Sequence, residues 1–129
     1  MLRVPVLYGY DQKTINESAS LVVADSLRGI EPKWVDDWAV RYPTAVDDVS
    51  QCLRLIIQAK LVDKTRLHGV FHCSSSESAT KFAQAKLMAK CLGLPSDHLS
   101  PNSDPPGGAP RPRDVQLDCS ATWAALGAT

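Results

Sequence analysis

The chain opens on an almost unbroken apolar run from Leu2 to Gly9, in which only Arg3 carries a charge. Runs of this kind are typical of strands that are buried on both faces inside a parallel sheet. Pro5 has no N–H to donate, so the strand must lie at an edge or beside a neighbour that does not need that donor. Because parallel strands are joined through crossover helices, the run predicts an α/β fold.

Apolar residues recur at helical spacing in two following segments. The first predicts a helix from a cap at Asn16 or Ser18 to about Arg28, with Gly29 just after its end. Its apolar side comprises Ala19, Val22, Val23, Leu27 and Ile30. The second predicts a helix capped by Thr44 or Asp47. Its apolar face comprises Val46, Val49, Leu53, Ile56, Ile57 and Leu61.

Shorter patterns fill the centre of the chain. Residues 31–39 predict irregular structure in which Trp34 and Trp38 anchor a loop on the body of the protein or, alternatively, form a binding surface. Residues 69–73 contain β-branched and aromatic side chains and predict a short strand. A third helix is expected from Thr80 through Leu92, because Gly93 and Pro95 follow as stop signals.

The last third of the chain is rich in proline. Six of the nine prolines lie between Pro95 and Pro112, which predicts extended or turn structure without a helix. This segment is either a disordered linker or an ordered loop. Val115 and Leu117 alternate with polar neighbours as in a short strand, which favours an ordered loop. Residues 118–120 then cap a last short helix that ends at Gly127.

The amino-acid composition limits which kinds of partner the protein can bind and indicates its cellular compartment. The 129 residues fit one domain, and 14 basic residues balance 14 acidic ones. A neutral chain argues against binding to nucleic acid or anionic membranes through a basic surface. No run is long enough to span a bilayer and no secretory signal is evident, so we expect a cytoplasmic protein that can also be nuclear. The four isolated cysteines predict free buried thiols rather than a zinc site.

Few residues in the sequence suggest a catalytic, nucleotide-binding or metal-binding site. The sequence contains no Gly-x-Gly-x-x-Gly loop, no Walker loop, no His-Glu-x-x-His and no Gly-x-Ser-x-Gly. The three histidines are scattered, so no metal site is expected. Arg111 and Arg113 flank Pro112, and their spacing predicts either a fork for a carboxylate or phosphate or a salt bridge that closes the proline-rich loop.

Several segments nevertheless resemble one superfamily. The opening run Leu2-Arg3-Val4-Pro5-Val6-Leu7-Tyr8-Gly9 is similar to the strand that follows the Tyr-x-x-x-Lys helix of extended short-chain dehydrogenase/reductases. Arg41-Tyr42-Pro43-Thr44 with Asp47-Asp48-Val49 resembles a later strand-to-helix segment of those proteins. Arg111-Pro112 with Leu117-Asp118 resembles the closing signature of dTDP-4-dehydrorhamnose reductases, whose Rossmann-like α/β fold is therefore expected.

Within that superfamily the chain looks most like the regulatory β subunits of methionine adenosyltransferase. Segments that recur in the same order are Phe71-His72, Thr80-Lys81, Leu94-Pro95-Ser96, His98-Leu99, Arg111-Pro112-Arg113 and Gln116 to Ser120. The resemblance covers essentially the whole chain but only the C-terminal portion of the family. It implies an incomplete sheet with a small substrate-type lobe, and a chain clipped at both ends relative to the family.

The resemblance also implies roles. It predicts a non-catalytic regulator of methionine adenosyltransferase in S-adenosylmethionine biosynthesis, with an NAD(P)-dependent sugar-nucleotide reductase or a fragment without independent function as alternatives. Pro5 and Leu7 would contact the nicotinamide end of NADP in the full-length family, and Arg41, Arg111 and Arg113 would contact a partner or ligand. No catalytic or metal-binding residue is expected. NADP binding by this chain alone, and tight association with the catalytic subunit, are not expected either.

Overall fold

The N-terminal apolar run forms two short strands rather than one. The computed structural model describes residues 1–9, 19–64 and 66–127. Strand β1 (Leu2–Arg3) pairs in parallel with β5 (Phe71–His72), and β2 (Leu7–Tyr8) pairs in parallel with β4 (Thr44–Ala45). The break falls at residues 4–6, where Pro5 cannot donate to a ladder. The predicted parallel pairing is confirmed, but the run is not buried on both faces, because Val4 is 37% and Tyr8 44% exposed.

A third parallel pair lies in the segments for which the sequence predicted no regular structure. Strand β3 (Lys33–Asp36) pairs with β6 (Leu99–Asn102), which lies inside the proline-rich segment. The prediction of irregular structure over residues 31–39 is therefore wrong. The α/β class with parallel pairing is confirmed, and each of the three pairs joins segments that are far apart in the chain.

In the part of the chain that the structure describes, four helices alternate with the strands. They are α1 (Ala19–Asp25), α2 (Val46–Leu61), α3 (Lys81–Leu92) and α4 (Ser120–Leu126). The residues proposed to cap α1, Asn16 and Ser18, lie outside the described residues. No helix within residues 1–9, 19–64 and 66–127 is both long and apolar enough to cross a membrane.

The predicted ends of α3 are confirmed, whereas the predicted side-chain cap of α2 is not formed. Thr80 caps α3 by accepting from the Ala83 N–H at 3.1 Å, and Gly93 ends it in the left-handed conformation with φ 65°. Helix α2 follows Ala45 and has no side-chain cap. Thr44, one of its two predicted caps, lies in β4 instead. Its hydroxyl donates to the Tyr42 carbonyl at 3.0 Å and accepts from the Ser75 N–H at 2.9 Å.

The described core lies between α1, α3 and the β3–β6 sheet. It consists of Val23, Leu27, Val35, Ala85, Ala89 and Leu99, against which Phe82 and Met88 pack. The apolar stripes predicted on α1 and α2 are only partly buried. Val22 and Ile30 are 48% and 79% exposed, and in α2 the side chains of Leu53, Ile57 and Leu61 are also exposed. Helix α2 instead buries the small residues Cys52 and Ala59.

The C-terminal helix is attached to β5. The backbone N–H of His72 donates to Oγ1 of Thr122 at 2.8 Å, and Thr122 is 1% exposed. The ring Nδ1 of His72 lies 2.9 Å from the carbonyl oxygen of Asp118, just before α4. The short strand predicted at Val115 and Leu117 is not formed, because the segment turns where Asp114 accepts from the Gln116 N–H at 2.9 Å.

Candidate functional site

The carboxyl ends of β2 and β4 form one edge, at which ligands of open α/β folds commonly bind. Gly9 follows β2 and Val46 begins α2 directly after β4. A Cβ atom on Gly9 would lie 2.4 Å from Cγ2 of Val46, so only glycine allows the strand end to approach the helix this closely. The absence of a side chain at Gly9 therefore allows the end of β2 to pack directly against the first turn of α2.

A cleft of about 550 Å³ opens at this strand end, which we call the strand-end cleft. Its walls combine apolar side chains with hydroxyl, amide and carboxylate groups. It is lined by Tyr8, Gly9, Ser20, Leu21, Ala24, Pro43, Ser75, Glu77, Ser78, Ala79, Gln84, Leu87 and Met88. Such a mixture suits a ligand that is partly apolar and is oriented by a few hydrogen bonds.

The predicted cofactor contacts Pro5 and Leu7 lie beside the strand-end cleft but do not line it. Leu7 is in register with Thr44 in the β2–β4 pair, and both predicted residues are partly buried. Their neighbours Tyr8 and Gly9 reach the cleft instead. Sequence reasoning also missed Glu77 and Gln84, because only the folded chain brings the 74–78 turn and α3 next to β2.

Arg41 joins three separate parts of the chain. Its backbone exchanges two hydrogen bonds with Ala79, at 3.1 Å and 2.9 Å, next to the strand-end cleft. Its guanidinium Nη1 donates to the carbonyl oxygens of Val40 at 2.9 Å and Arg113 at 3.4 Å. Arg41 therefore ties the cleft wall to the end of the proline-rich segment.

The arginines predicted as a fork are placed differently from each other. Arg113 accepts from the Val40 N–H at 2.7 Å and its own Nε donates to the Trp38 carbonyl at 3.4 Å. Arg111 is exposed. In the described part of the chain neither Arg111 nor Arg113 forms an ion pair with a carboxylate. The loop is closed by one backbone hydrogen bond and by arginine side chains that donate to backbone carbonyls, rather than by the alternative salt bridge.

Tyr42 adds a further contact to this junction. The side chain is 5% exposed and its hydroxyl donates to Oδ2 of Asp114 at 3.3 Å. Burial, together with the hydrogen-bonded Asp114 carboxylate, raises the pKa of Tyr42. The residues from Trp38 to Tyr42 and from Arg113 to Asp114 thus form one junction, which we call the arginine junction.

A separate pair of thiols lies on the other side of the 74–78 turn. Cys52 and Cys73 are buried and line a cavity of about 460 Å³ that Trp123 borders. Burial raises the pKa of Cys52 and raises that of Cys73 to about 11. The prediction of buried thiols is wrong for Cys91, which is exposed. Within the described ranges no cluster of three or more potential ligands could hold a metal ion.

Comparison with known proteins places this geometry in a family. A family model described as the RmlD substrate binding domain matches residues 1–129. The chain is 40% identical over 122 residues to methionine adenosyltransferase 2 subunit beta of Pongo abelii, and 37% identical over 123 residues to the protein of that name from Danio rerio. These alignments cover 93% of this chain but 36% and 38% of the relatives, so the chain spans little more than a third of their length.

Solved structures show the same architecture at lower identity. The dTDP-4-dehydrorhamnose reductase of Bacillus anthracis, in complex with NADP, superposes with a TM-score of 0.74 at 20% identity, over 99% of this chain and 41% of that one. WbmG of Bordetella bronchiseptica, in complex with NAD and UDP, superposes with a TM-score of 0.70, over 98% of this chain and 36% of that one. The chain carries part of their Rossmann-like α/β fold, and it belongs to the RmlD substrate binding domain family.

Proposed function

We propose that this chain acts as a non-catalytic regulatory subunit of methionine adenosyltransferase, or as part of one, in S-adenosylmethionine biosynthesis. The observation that supports this best is sequence identity of 37–40% across 93% of the chain to methionine adenosyltransferase 2 subunit beta proteins. Identity to the reductase of the same fold is only 20%. The chain is thus much closer in sequence to the subunit than to the enzyme.

The surface that we assign to the partner is the end of the proline-rich segment beside the arginine junction, where Arg111 lies. The Arg113 carbonyl accepts from the Val40 N–H and from the Arg41 guanidinium, so the end of the proline-rich segment is ordered before any partner binds. This order leaves the Arg111 side chain exposed and without a carboxylate partner in the described part of the chain. An exposed arginine on an ordered backbone is a common interface anchor, because less entropy is lost when it binds.

The predicted cofactor contacts extend the same proposal. In a full-length family member the apolar end of β2, with Pro5 and Leu7, would contact the nicotinamide end of NADP. This chain contains no Gly-x-Gly-x-x-Gly segment to hold a pyrophosphate. We therefore expect no measurable NADP binding to the chain alone by calorimetry, and tight binding would contradict this part of the proposal.

A second function has one observation in its favour. The TM-score of 0.74 to the Bacillus anthracis reductase supports an NAD(P)-dependent dTDP-4-dehydrorhamnose reductase type of protein. Hydride transfer needs a bound nicotinamide and a general acid, usually a tyrosine beside a lysine. The sequence contains no Tyr-x-x-x-Lys segment. NADPH oxidation in the presence of the sugar nucleotide would favour this alternative.

Co-purification with the catalytic subunit of methionine adenosyltransferase tests the main proposal. We expect association no tighter than micromolar, and a changed initial rate of S-adenosylmethionine formation when the chain is in excess. If Arg111 is the anchor, Arg111→Ala weakens association by about 2 kcal/mol. Arg66→Ala, which removes another exposed arginine, is the matched control. Absence of both association and rate change would contradict the proposal, and equal losses in the two variants would contradict the role of Arg111.

A further inference from the structure

The two edges of the β3–β6 sheet differ in what they offer to another strand. On the β6 edge the outward residues are Leu99 and Pro101. Pro101 has no N–H, and the Leu99 N–H donates to the Ser96 carbonyl at 3.2 Å. The β6 edge therefore has no free donor, which is a common way to protect a sheet edge from pairing.

The β3 edge has no such protection. The N–H groups of Lys33 and Asp37 donate to His98 at 2.9 Å and Asn102 at 2.8 Å, so alternate residues of β3 face β6. Trp34 and Asp36 lie between them and direct their backbone N–H and C=O groups away from β6. Across residues 1–9, 19–64 and 66–127 these four groups have no hydrogen-bond partner.

The side chain on this edge is also unusual. Trp34 is 76% exposed, while Val35, its neighbour in the strand, is buried in the core. A large aromatic side chain beside unpaired backbone groups favours the addition of another strand. Such a strand forms hydrogen bonds with the free N–H and C=O groups and also buries the Trp34 ring.

We propose that the β3 edge pairs antiparallel with β3 of a second copy of this chain. The resulting sheet has the order β6–β3–β3–β6 and a two-fold axis at Val35. In this register Trp34 faces Asp36 of the second copy, and all four free backbone groups on each strand form hydrogen bonds. The inference goes beyond the regulatory function and does not depend on it.

The register is complementary in its side chains as well. The indole N–H of Trp34, which can only donate, faces the acceptor carboxylate of Asp36. A shift that places Trp34 opposite Trp34 brings Pro32 opposite Asp36, and the Asp36 carbonyl then has no donor. Formal net charge is zero, so no overall repulsion opposes pairing.

Concentration-dependent sedimentation velocity on the full chain, from micromolar to near-millimolar, tests the proposal. Four residues on each strand bury little area, so we expect a weak monomer–dimer equilibrium. Trp34→Lys is expected to lower the association constant about tenfold or more. Ile57→Lys is the matched control, because Ile57 is also exposed, at 55%, but lies on α2.

Two further measurements separate this pairing from other contacts. Hydrogen exchange at the Trp34 and Asp36 amides should slow as concentration rises, whereas exchange at Val35, already within the β3–β6 ladder, should not. Trp34→Phe keeps a large aromatic ring on the β3 edge and should retain more of the association than Trp34→Lys. The proposal is overturned by a chain that stays monomeric near millimolar, by a dimer that survives Trp34→Lys, or by one lost only on Ile57→Lys.

Discussion

The backbone N–H of His72 and the hydroxyl of Thr122 form a 2.8 Å hydrogen bond that holds α4 against β5. Thr122 is 1% exposed, so water cannot replace the acceptor if the hydroxyl is lost. Thr122→Val keeps the shape of the side chain but leaves the His72 N–H unpaired. We expect the free energy of unfolding to fall by about 1–3 kcal/mol in urea titrations. Thr122→Ser retains the hydroxyl, and a loss as large as that of valine would contradict this role.

The close approach of β2 to α2 predicts intolerance at Gly9. An added Cβ would lie 2.4 Å from Val46 Cγ2, so Gly9→Ala must displace the helix or the strand. We expect a loss of about 1–3 kcal/mol in the free energy of unfolding. Val46→Ala combined with Gly9→Ala should recover part of that loss. Gly107→Ala is the control, because nothing lies within 4 Å of its added Cβ.

Thr80 links the start of α3 to the loop after β3. Its Oγ1 accepts from the Ala83 N–H at 3.1 Å and donates to Asp37 Oδ1 at 2.6 Å. Thr80→Ala removes both bonds, and we expect it to cost about 1–2 kcal/mol of stability. Thr80→Ser should cost much less, and thermal unfolding of the two variants side by side makes the comparison.

The buried thiols predict an alkaline limit to stability. Burial raises the pKa of Cys73 from 9.0 to about 11, so the folded state keeps the proton after the unfolded state has lost it. The contribution of Cys73 is therefore fully present below pH 9.0 and declines as pH rises to about 11. Cys73→Ala should flatten the fall in unfolding free energy over that window.

Thiol reactivity gives an independent check of the same burial. Iodoacetamide under mildly alkaline conditions should modify the exposed Cys91 first and the buried Cys52 and Cys73 last, because thiolates are the reactive form. Mass spectrometry of peptides sampled over time measures the order. Modification of Cys73 as fast as that of Cys91 would be incompatible with a closed thiol pair.

Arg41 and Arg111 should differ in how much each side chain contributes to the free energy of unfolding. Arg41 donates to two backbone carbonyls, so we expect Arg41→Ala to lower the free energy of unfolding by about 1 kcal/mol. Arg111 is exposed, and Arg111→Ala should change the free energy of unfolding by less than about 0.5 kcal/mol. A clear destabilisation by Arg111→Ala in urea titrations would show that its side chain is structural.

The sequence predicted those elements whose signals are local. Helix α3 has a threonine cap, apolar periodicity and a glycine stop within one segment, and its ends were predicted correctly. Strand β3 was missed because two of its four residues are charged and its partner β6 lies beyond α3 in the chain. The exposure of Leu53 and Ile57 could not be foreseen either, since periodicity shows that a face is apolar but not what covers it.

The strand-end cleft shows the same limit. Its polar lining residues come from β2, α1, the 74–78 turn and α3. No spacing in the sequence brings Glu77 to Tyr8. That proximity follows from the β2–β4 register and from the two hydrogen bonds between Arg41 and Ala79.

The pairing of strands near the N-terminus with strands much later in the chain affects how the protein folds during translation. When β1 leaves the ribosome its partner β5 has not been made, and β3 must wait for residues 99–102. At about 5–20 residues per second, each unfinished strand stays without its partner for several seconds. Apolar residues such as Leu2 and Leu7 are then available to chaperones, so depletion of nascent-chain chaperones should reduce the yield of this protein more than that of a helical bundle of equal length.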